Sequence, residues 1–299
     1  MASTATGPAT GLLTRHWPQH PVIGRYALLS PALLLMLAGL LMPVLLLVGQ
    51  SFVVESPEGW HAGLANYAAV LEGPQYQRVL ARSIAVAALV ATLTVLLAYP
   101  AAYFIAFEVS GNKMTWLILI TLPFWTSYLL RVFAWKLILG FNGVINSALV
   151  YMGLIDAPLE FLLHNTFAVI VTLAHAWAAF AILPIFVSLQ KIDRSLLEAA
   201  QDLGEGPAMT FLRVTLPLSM PGVISAFLLV FIPTVGDYVT PKLVGGPNGI
   251  MIGSLIQFSF GQLENWPLGS AIAVLAMLVV TALVCLFLWT ASRARRLVA

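Results

Sequence analysis

Long apolar runs alternate with short polar ones along this chain. Six runs stand out, at 27–48, 84–107, 115–138, 167–189, 222–244 and 271–290. A helix needs about 20 mostly apolar residues to cross a hydrocarbon core of about 30 Å, and each run meets that length. The other spanning solution, a closed β-barrel, requires polarity that alternates with a period of two. These runs are continuously apolar instead. The pattern predicts an all-α polytopic membrane protein with six transmembrane helices. Proline falls within five of the spans, at Pro43, Pro100, Pro123, Pro184 and Pro233. Each removes a helical hydrogen bond and permits a kink. The fifth run is the most interrupted, by Pro233, Gly236 and Asp237.

Composition agrees. The chain is 60% hydrophobic and 9% charged, with a mean hydropathy of +0.95, against roughly 25% charged in a soluble domain. Lipid must therefore solvate most of its surface. A net charge of +2 gives no reason to expect a nucleic-acid partner. Cys285 is the sole cysteine, so no disulfide forms within the chain. The first apolar run, about 22 residues long, exceeds a signal-peptide core of about 7–15 and is expected to stay as an uncleaved span. Lys and Arg in short flanks set orientation. One side would hold Arg15, Arg25, Lys113, Lys191, Arg194, Arg213, Arg293, Arg295 and Arg296; the other, Arg78, Arg82 and Lys242. The excess puts both termini in the cytoplasm. The expected division is a cytoplasmic tail at 1–26, a membrane domain at 27–290 and a basic tail at 291–299. The longer outward loops carry the turn-rich pieces "GFNGVIN" (140–146) and "VGGPNGI" (244–250).

One cytoplasmic loop, at 190–220, is unlike the rest. It holds Lys191, Asp193, Arg194, Glu198, Asp202, Glu205 and Arg213 between two of the most apolar runs. Ser195 followed by Glu198 is the spacing of a capping box, which would start a helix with Leu196, Ala200 and Leu203 on one stripe. Gly204 and Gly206 can take positive φ and end it, and Pro207 suits the first turn of a second helix. Leu216–Pro217 is expected to stop that helix near Thr215, and Pro221 to open the next span. With four acids against three bases, this helix–turn–helix suits a protein partner better than an anionic lipid surface.

The stretch "EAAQDLGEGPAMTFLRVTLP" resembles the EAA loop of ABC-importer permeases: EAA, three residues, Gly, nine residues, Ile, one residue, Leu-Pro. The matching positions are Glu198, Ala199, Ala200, Gly204, Val214, Leu216 and Pro217, with Val214 in place of Ile. Two further stretches, "LPFWTSYLLRVFAWKLIL" (122–139) and "LLVFIPTVGDYVTPKLVGG" (228–246), are similar to the permeases of spermidine/putrescine-type importers. The resemblance implies a MetI-like membrane domain, forming half of a pathway for a polyamine or a related amino-acid-like or opine solute. The EAA loop would be the coupling helix, docked on a dimer of cytoplasmic ATPases that bind ATP and Mg. A second, different permease chain and a periplasmic or lipid-anchored binding protein would complete the importer.

The chain lacks a GxxxxGK[ST] phosphate loop, an HExxH pair and a GxSxG elbow, so no catalysis or cofactor is expected within it. Charges inside a span are costly and mark candidate functional sites. Arg131 and Lys136 lie in the third run and Asp237 in the broken fifth. Lys136 can snorkel to the interface. Asp237 and Arg131 either pair with each other or line the pathway, where Asp237 could meet a cationic solute. Tyr238 beside it, and Trp125 and Tyr128, could stack on methylenes or on an amine. Phe124, Phe133 and Trp135 share that chemistry, or else form an interfacial belt. His164 and His175 read as packed or hydrogen-bonded histidines. A secondary transporter, or a membrane enzyme, would leave the EAA loop without a purpose.

Overall fold

The computed structural model describes residues 21–56 and 59–298. The tail with Arg15, and the side chains of Arg25, Arg295 and Arg296, lie outside the described residues. Helix α1 (Pro21–Ser51) belongs, up to Gly49, to a unit of its own, and contains Pro31 and Pro43. The second unit starts at Gln50. A short antiparallel ribbon pairs β1 (Val53–Ser56) with β2 (Gly59–Ala62) and leads to α2 (Ala65–Glu72). Then follow α3 (Pro74–Tyr103), which ends in a π-helical turn at Phe104–Glu108, and α4 (Lys113–Thr121). Next come α5 (Tyr128–Leu139), α6 (Val144–Tyr151), α7 (Thr166–Ala176) and α8 (Ala178–Gln190). The short helices α9 (Arg194–Asp202) and α10 (Pro207–Thr210) pass through a second π turn, Phe211–Thr215, into α11 (Leu216–Val235). Helices α12 (Ile252–Gly261) and α13 (Trp266–Val298) follow.

Five helical stretches among the described residues are long and apolar enough to cross a membrane: Leu29–Ser51, Pro74–Glu108, Tyr128–Tyr151, Pro207–Val235 and Trp266–Arg293. Helices α7 and α8 make a sixth if counted as one span, bent by 47° at Trp177. The bend lies well before Pro184, which sits inside α8.

Three expectations change. The third run is not one helix over 115–138. Pro123 opens a 3-10 turn at Leu122–Trp125, Thr126 and Ser127 are extended, and α5 begins afresh at Tyr128. The span-length stretch is instead Tyr128–Tyr151, so part of the expected outer loop 139–166 is the helix α6. The buried amide of Asn146 holds the turn before α6, donating to Gly140 O (3.2 Å) and Leu159 O (3.1 Å) while accepting from Leu159 N (2.8 Å). The fifth span ends at Val235, not at 244. At its start, Leu216–Pro217 does not stop a helix: the Leu216 amide reaches back to Phe211 O, and the added residue of this π turn carries the helix past the proline. Pro221 is accordingly internal to α11.

The core of the second unit is the packing of α3, α8 and α11 on one another. Without a hydrophobic drive between helices in lipid, close contact relies on small residues. Ala87, Ala91, Ala98 and Ala102 on α3, Ala181 on α8 and Ala226 on α11 are all buried. Gly222 marks a close approach of α11 to α8, because a Cβ there would come within 2.5 Å of Pro184 O and Ser188 Cβ. Two buried hydroxyls are satisfied within their own helices: Thr94 and Thr234 donate to Val90 O and Val230 O, each at 2.7 Å.

Candidate functional site

Two places gather the polar residues singled out from the sequence. The first is the loop at α9–α10. Its N-cap is Asp193, which accepts from the Ser195 amide at 3.0 Å, rather than Ser195 in a capping box with Glu198. That backbone bond holds the Asp193 carboxyl below the ordinary aspartate range. Helix α9 ends in a double closure: Gly204 N donates to Gln201 O (2.8 Å) and Glu205 N to Ala200 O (3.1 Å). This Schellman geometry needs a left-handed residue, and Gly204 supplies it with φ +87°. Gly206 keeps φ −72° and caps α10 instead, its carbonyl accepting from Thr210 N at 3.0 Å. Arg213 Nη1 pairs with Glu205 Oε1 at 2.6 Å across the turn.

Ala200 is buried against the chain itself, whereas Glu198 and Ala199 face outward. Leu203 is 86% exposed, and Leu196 and Leu212 are exposed as well. Of the expected stripe of Leu196, Ala200 and Leu203, only Ala200 is buried within this chain. Val214 is half-buried in the π turn, and Leu216 and Pro217 open α11.

The second place is where three consecutive apolar runs of the sequence break. Thr126–Ser127 separates α4 from α5, Trp177 separates α7 from α8, and Gly236 ends α11. Tyr128 joins all three. Its hydroxyl donates to Asp237 Oδ2 (2.7 Å), leaving the Thr240 hydroxyl (2.6 Å) to donate to it, and its ring lies 5.9 Å from that of Trp177. Asp237 Oδ1 accepts from Val239 N at 3.1 Å, the turn that restarts the chain after the break. Arg131, a turn into α5, lies over the Phe124 ring at 5.1 Å. The His175 ring lies tilted against Phe124 (5.6 Å) and edge-on to Trp135 (5.5 Å).

The structure therefore brings together Tyr128 and Asp237, with Arg131 in the adjoining aromatic cluster. Trp125 is 77% exposed and Tyr238 is exposed. Among the described residues Asp237 makes no ion pair with Arg131. Arg131 Nε and Nη1 and Trp177 Nε1 are instead buried without acceptors. Trp177 and Thr240 were not singled out from sequence. The "GDYVT" run carried a signal for Thr240, because an Asp after Gly at a helix end forms an Asx turn that folds the next residues back. No group of His, Cys, Asp and Glu among the described residues could hold a metal ion.

Apolar helices that break around a polar cluster, with an exposed helix–turn–helix at the other end of α11, fit a multi-pass membrane permease. Residues 68–297 match the family of binding-protein-dependent transport system inner membrane components. The spermidine/putrescine transport system permease protein PotB of Salmonella typhimurium (strain SL1344) is 36% identical over 256 residues, 84% of this chain and 88% of the relative. Its namesake in Haemophilus influenzae is 34% identical over 260 residues, 86% and 89% of the two chains. A chain of a bacterial alginate ABC transporter, solved with an alginate pentasaccharide-bound periplasmic protein, superposes with a TM-score of 0.70 at 20% identity, covering 92% of this chain and 94% of that one. This last likeness is one of fold, consistent with a MetI-like permease. The chain belongs to the binding-protein-dependent inner-membrane permease family. It is a non-catalytic permease subunit of an ABC importer, related to the spermidine/putrescine group.

Proposed function

We propose that this chain forms half of the pathway for a polyamine-type solute and receives its driving force through the loop 190–220. The exposed edge of α9 carries this reading: Glu198, Ala199 and Leu203 point away from the chain, on a helix fixed by Asp193 at one end and Gly204 at the other. Small Ala199 lets a partner approach closely, and Glu198 offers a charge to a basic residue. A dimer of ATPases binding ATP and Mg would dock there, with both termini of a six-span domain over 27–290 on the same cytoplasmic side. A second, different permease would supply the other half, and a periplasmic or lipid-anchored binding protein would deliver the solute. Closure of the ATPases would push α9, and the unbroken stretch Pro207–Val235 would carry the motion inward.

In the pathway, Asp237 is the group to meet an amine, with Tyr128, Tyr238 and Trp125 as its aromatic surroundings. The assembled importer in vesicles should take up radiolabelled putrescine or spermidine. Glu198→Arg should lower that uptake roughly tenfold or more, as like-charge clashes at an interface do, with the thermal unfolding of the chain unchanged. Wild-type uptake by the variant would sink the docking role. A second solute reading, an amino-acid-like or opine compound, is favoured by one observation: the unpartnered N–H donors of Arg131 suit an anionic group. Competition of such compounds against putrescine distinguishes the two.

A further inference from the structure

Helix α3 ends in carbonyls that need donors, as every helix does. Two cations supply them. Lys113 Nζ, from the start of α4, donates to Ala106 O. The second donor is distant in sequence: Arg194 Nη2 reaches Phe107 O at 3.0 Å. Arg194 is the first residue of α9. A cation on the final carbonyls also opposes the negative end of the helix dipole. The loop leans on α3 a second time through Phe211, whose ring meets Tyr99 (5.6 Å) and Tyr103 (6.1 Å).

The opposite end of α3 is fastened too. Arg82 Nη1 donates to Asn248 O at 3.1 Å, and Ser83 Oγ accepts from Ile252 N at 2.7 Å. Asn248 lies in the turn that follows the fifth span, and Ile252 opens α12. The stretch Pro74–Glu108 is continuous and 35 residues long, about 50 Å at helical rise. One continuous helical stretch thus has the loop 190–220 on one end and the segment 248–252 on the other.

We propose that Arg194 is a positioning residue that passes displacement of α9 to α3, and through Arg82 and Ser83 to the segment 248–252 at the start of α12. The proposal rests on the reading of α9 as the ATPase dock. The contact makes a specific demand: a cation must bridge α9 and the Phe107 carbonyl, whether or not α9 touches the ATPase.

The test is made on the complete importer in vesicles, with Cys285→Ser and Asn248→Cys in this chain. Asn248 makes its bonds through its carbonyl, so the new thiol leaves them in place. Labelling by a membrane-impermeant maleimide is compared without nucleotide and with ATP and vanadate. With Arg194 present, the labelling rate is expected to differ between the two states. Arg194→Gln should shrink that difference about threefold or more, the size of effect seen along coupled elements, while the ATPase still co-purifies and hydrolyses ATP. Arg194→Lys should restore it. Arg82→Gln should have the same effect, and the double variant no more than either single one. A full ATP-dependent change in Arg194→Gln overturns the proposal. So does loss of the ATPase from that variant alone, which would make Arg194 part of the dock. A parent chain that binds the ATPase but shows no ATP-dependent labelling also overturns it. A parent chain that binds no ATPase overturns the docking reading, and this proposal with it.

Discussion

Gly204 and Asp193 show how single positions set the shape of the α9 loop. At φ +87° Gly204 occupies a conformation that costs an L-residue roughly 1–2 kcal/mol. No atom crowds its missing Cβ, so Gly204→Ala tests conformation alone. It should loosen the turn and lower putrescine uptake per ATP hydrolysed, with ATPase binding retained; an unaltered ratio would show that the turn tolerates another geometry. Asp193 carries a prediction about pH. Its carboxyl titrates below the ordinary value because the Ser195 amide binds the charged form. A depressed acid stabilises the fold above its unfolded pKa and loses that contribution as pH falls through the folded one. The cap is thus complete at neutral pH and fails only in strong acid. Amide exchange at Ser195 and Leu196, corrected for intrinsic rates, should accelerate in Asp193→Ala at pH 7 and stay flat in the parent chain from pH 7 to pH 5. From the sequence, the Ser195–Glu198 box marks the start of α9; the cap is instead Asp193, two residues earlier. Only the path of the backbone out of α8 fixes which residue takes the cap.

At the scale of elements, apolar run length located the membrane segments but not their interruptions. A run such as 115–138 is uniformly greasy, yet Pro123 and the extended Thr126–Ser127 divide it. Conversely, Leu216–Pro217 looks like a stop and is crossed by a π turn. Proline removes a donor in either case; whether the chain breaks or inserts a residue depends on the neighbours packed around it, which one sequence does not display. The close approach of α8 and α11 at Gly222 gives a direct test. Gly222→Leu would drive a side chain into the Pro184 carbonyl and Ser188. Overpacking of this kind costs about 1–3 kcal/mol, so thermal unfolding in detergent should fall, and Gly222→Ala should fall less. Equal stability for all three chains would mean that α8 and α11 do not pack as closely as the structure places them.

For the molecule as a whole, the three breaks matter more together than singly. Non-helical backbone at membrane depth survives only where protein or a watered cavity satisfies it. Here the breaks at Ser127, Trp177 and Gly236 converge on Tyr128, whose hydroxyl binds Asp237 and Thr240. The sequence displayed Asp237 and Tyr128 as separate candidates more than a hundred positions apart; their pairing emerges only when α5 restarts at Tyr128. A carboxylate held by one hydroxyl and one amide is poorly placed to lose either. Tyr128→Phe should leave Asp237 with only the Val239 amide, and hydrogen bonds to charged groups contribute about 1.5–3 kcal/mol. The joint between α5 and the segment after α11 should then open more readily. The expected outcome is faster ATP hydrolysis by the assembled importer without solute, and less putrescine taken up per ATP. Asp237→Asn keeps an acceptor for Tyr128 but removes the charge, so it should lower uptake with less effect on solute-free hydrolysis. If the two variants behave alike in both measurements, Asp237 serves the pathway only as a partner of Tyr128, and its charge meets no solute.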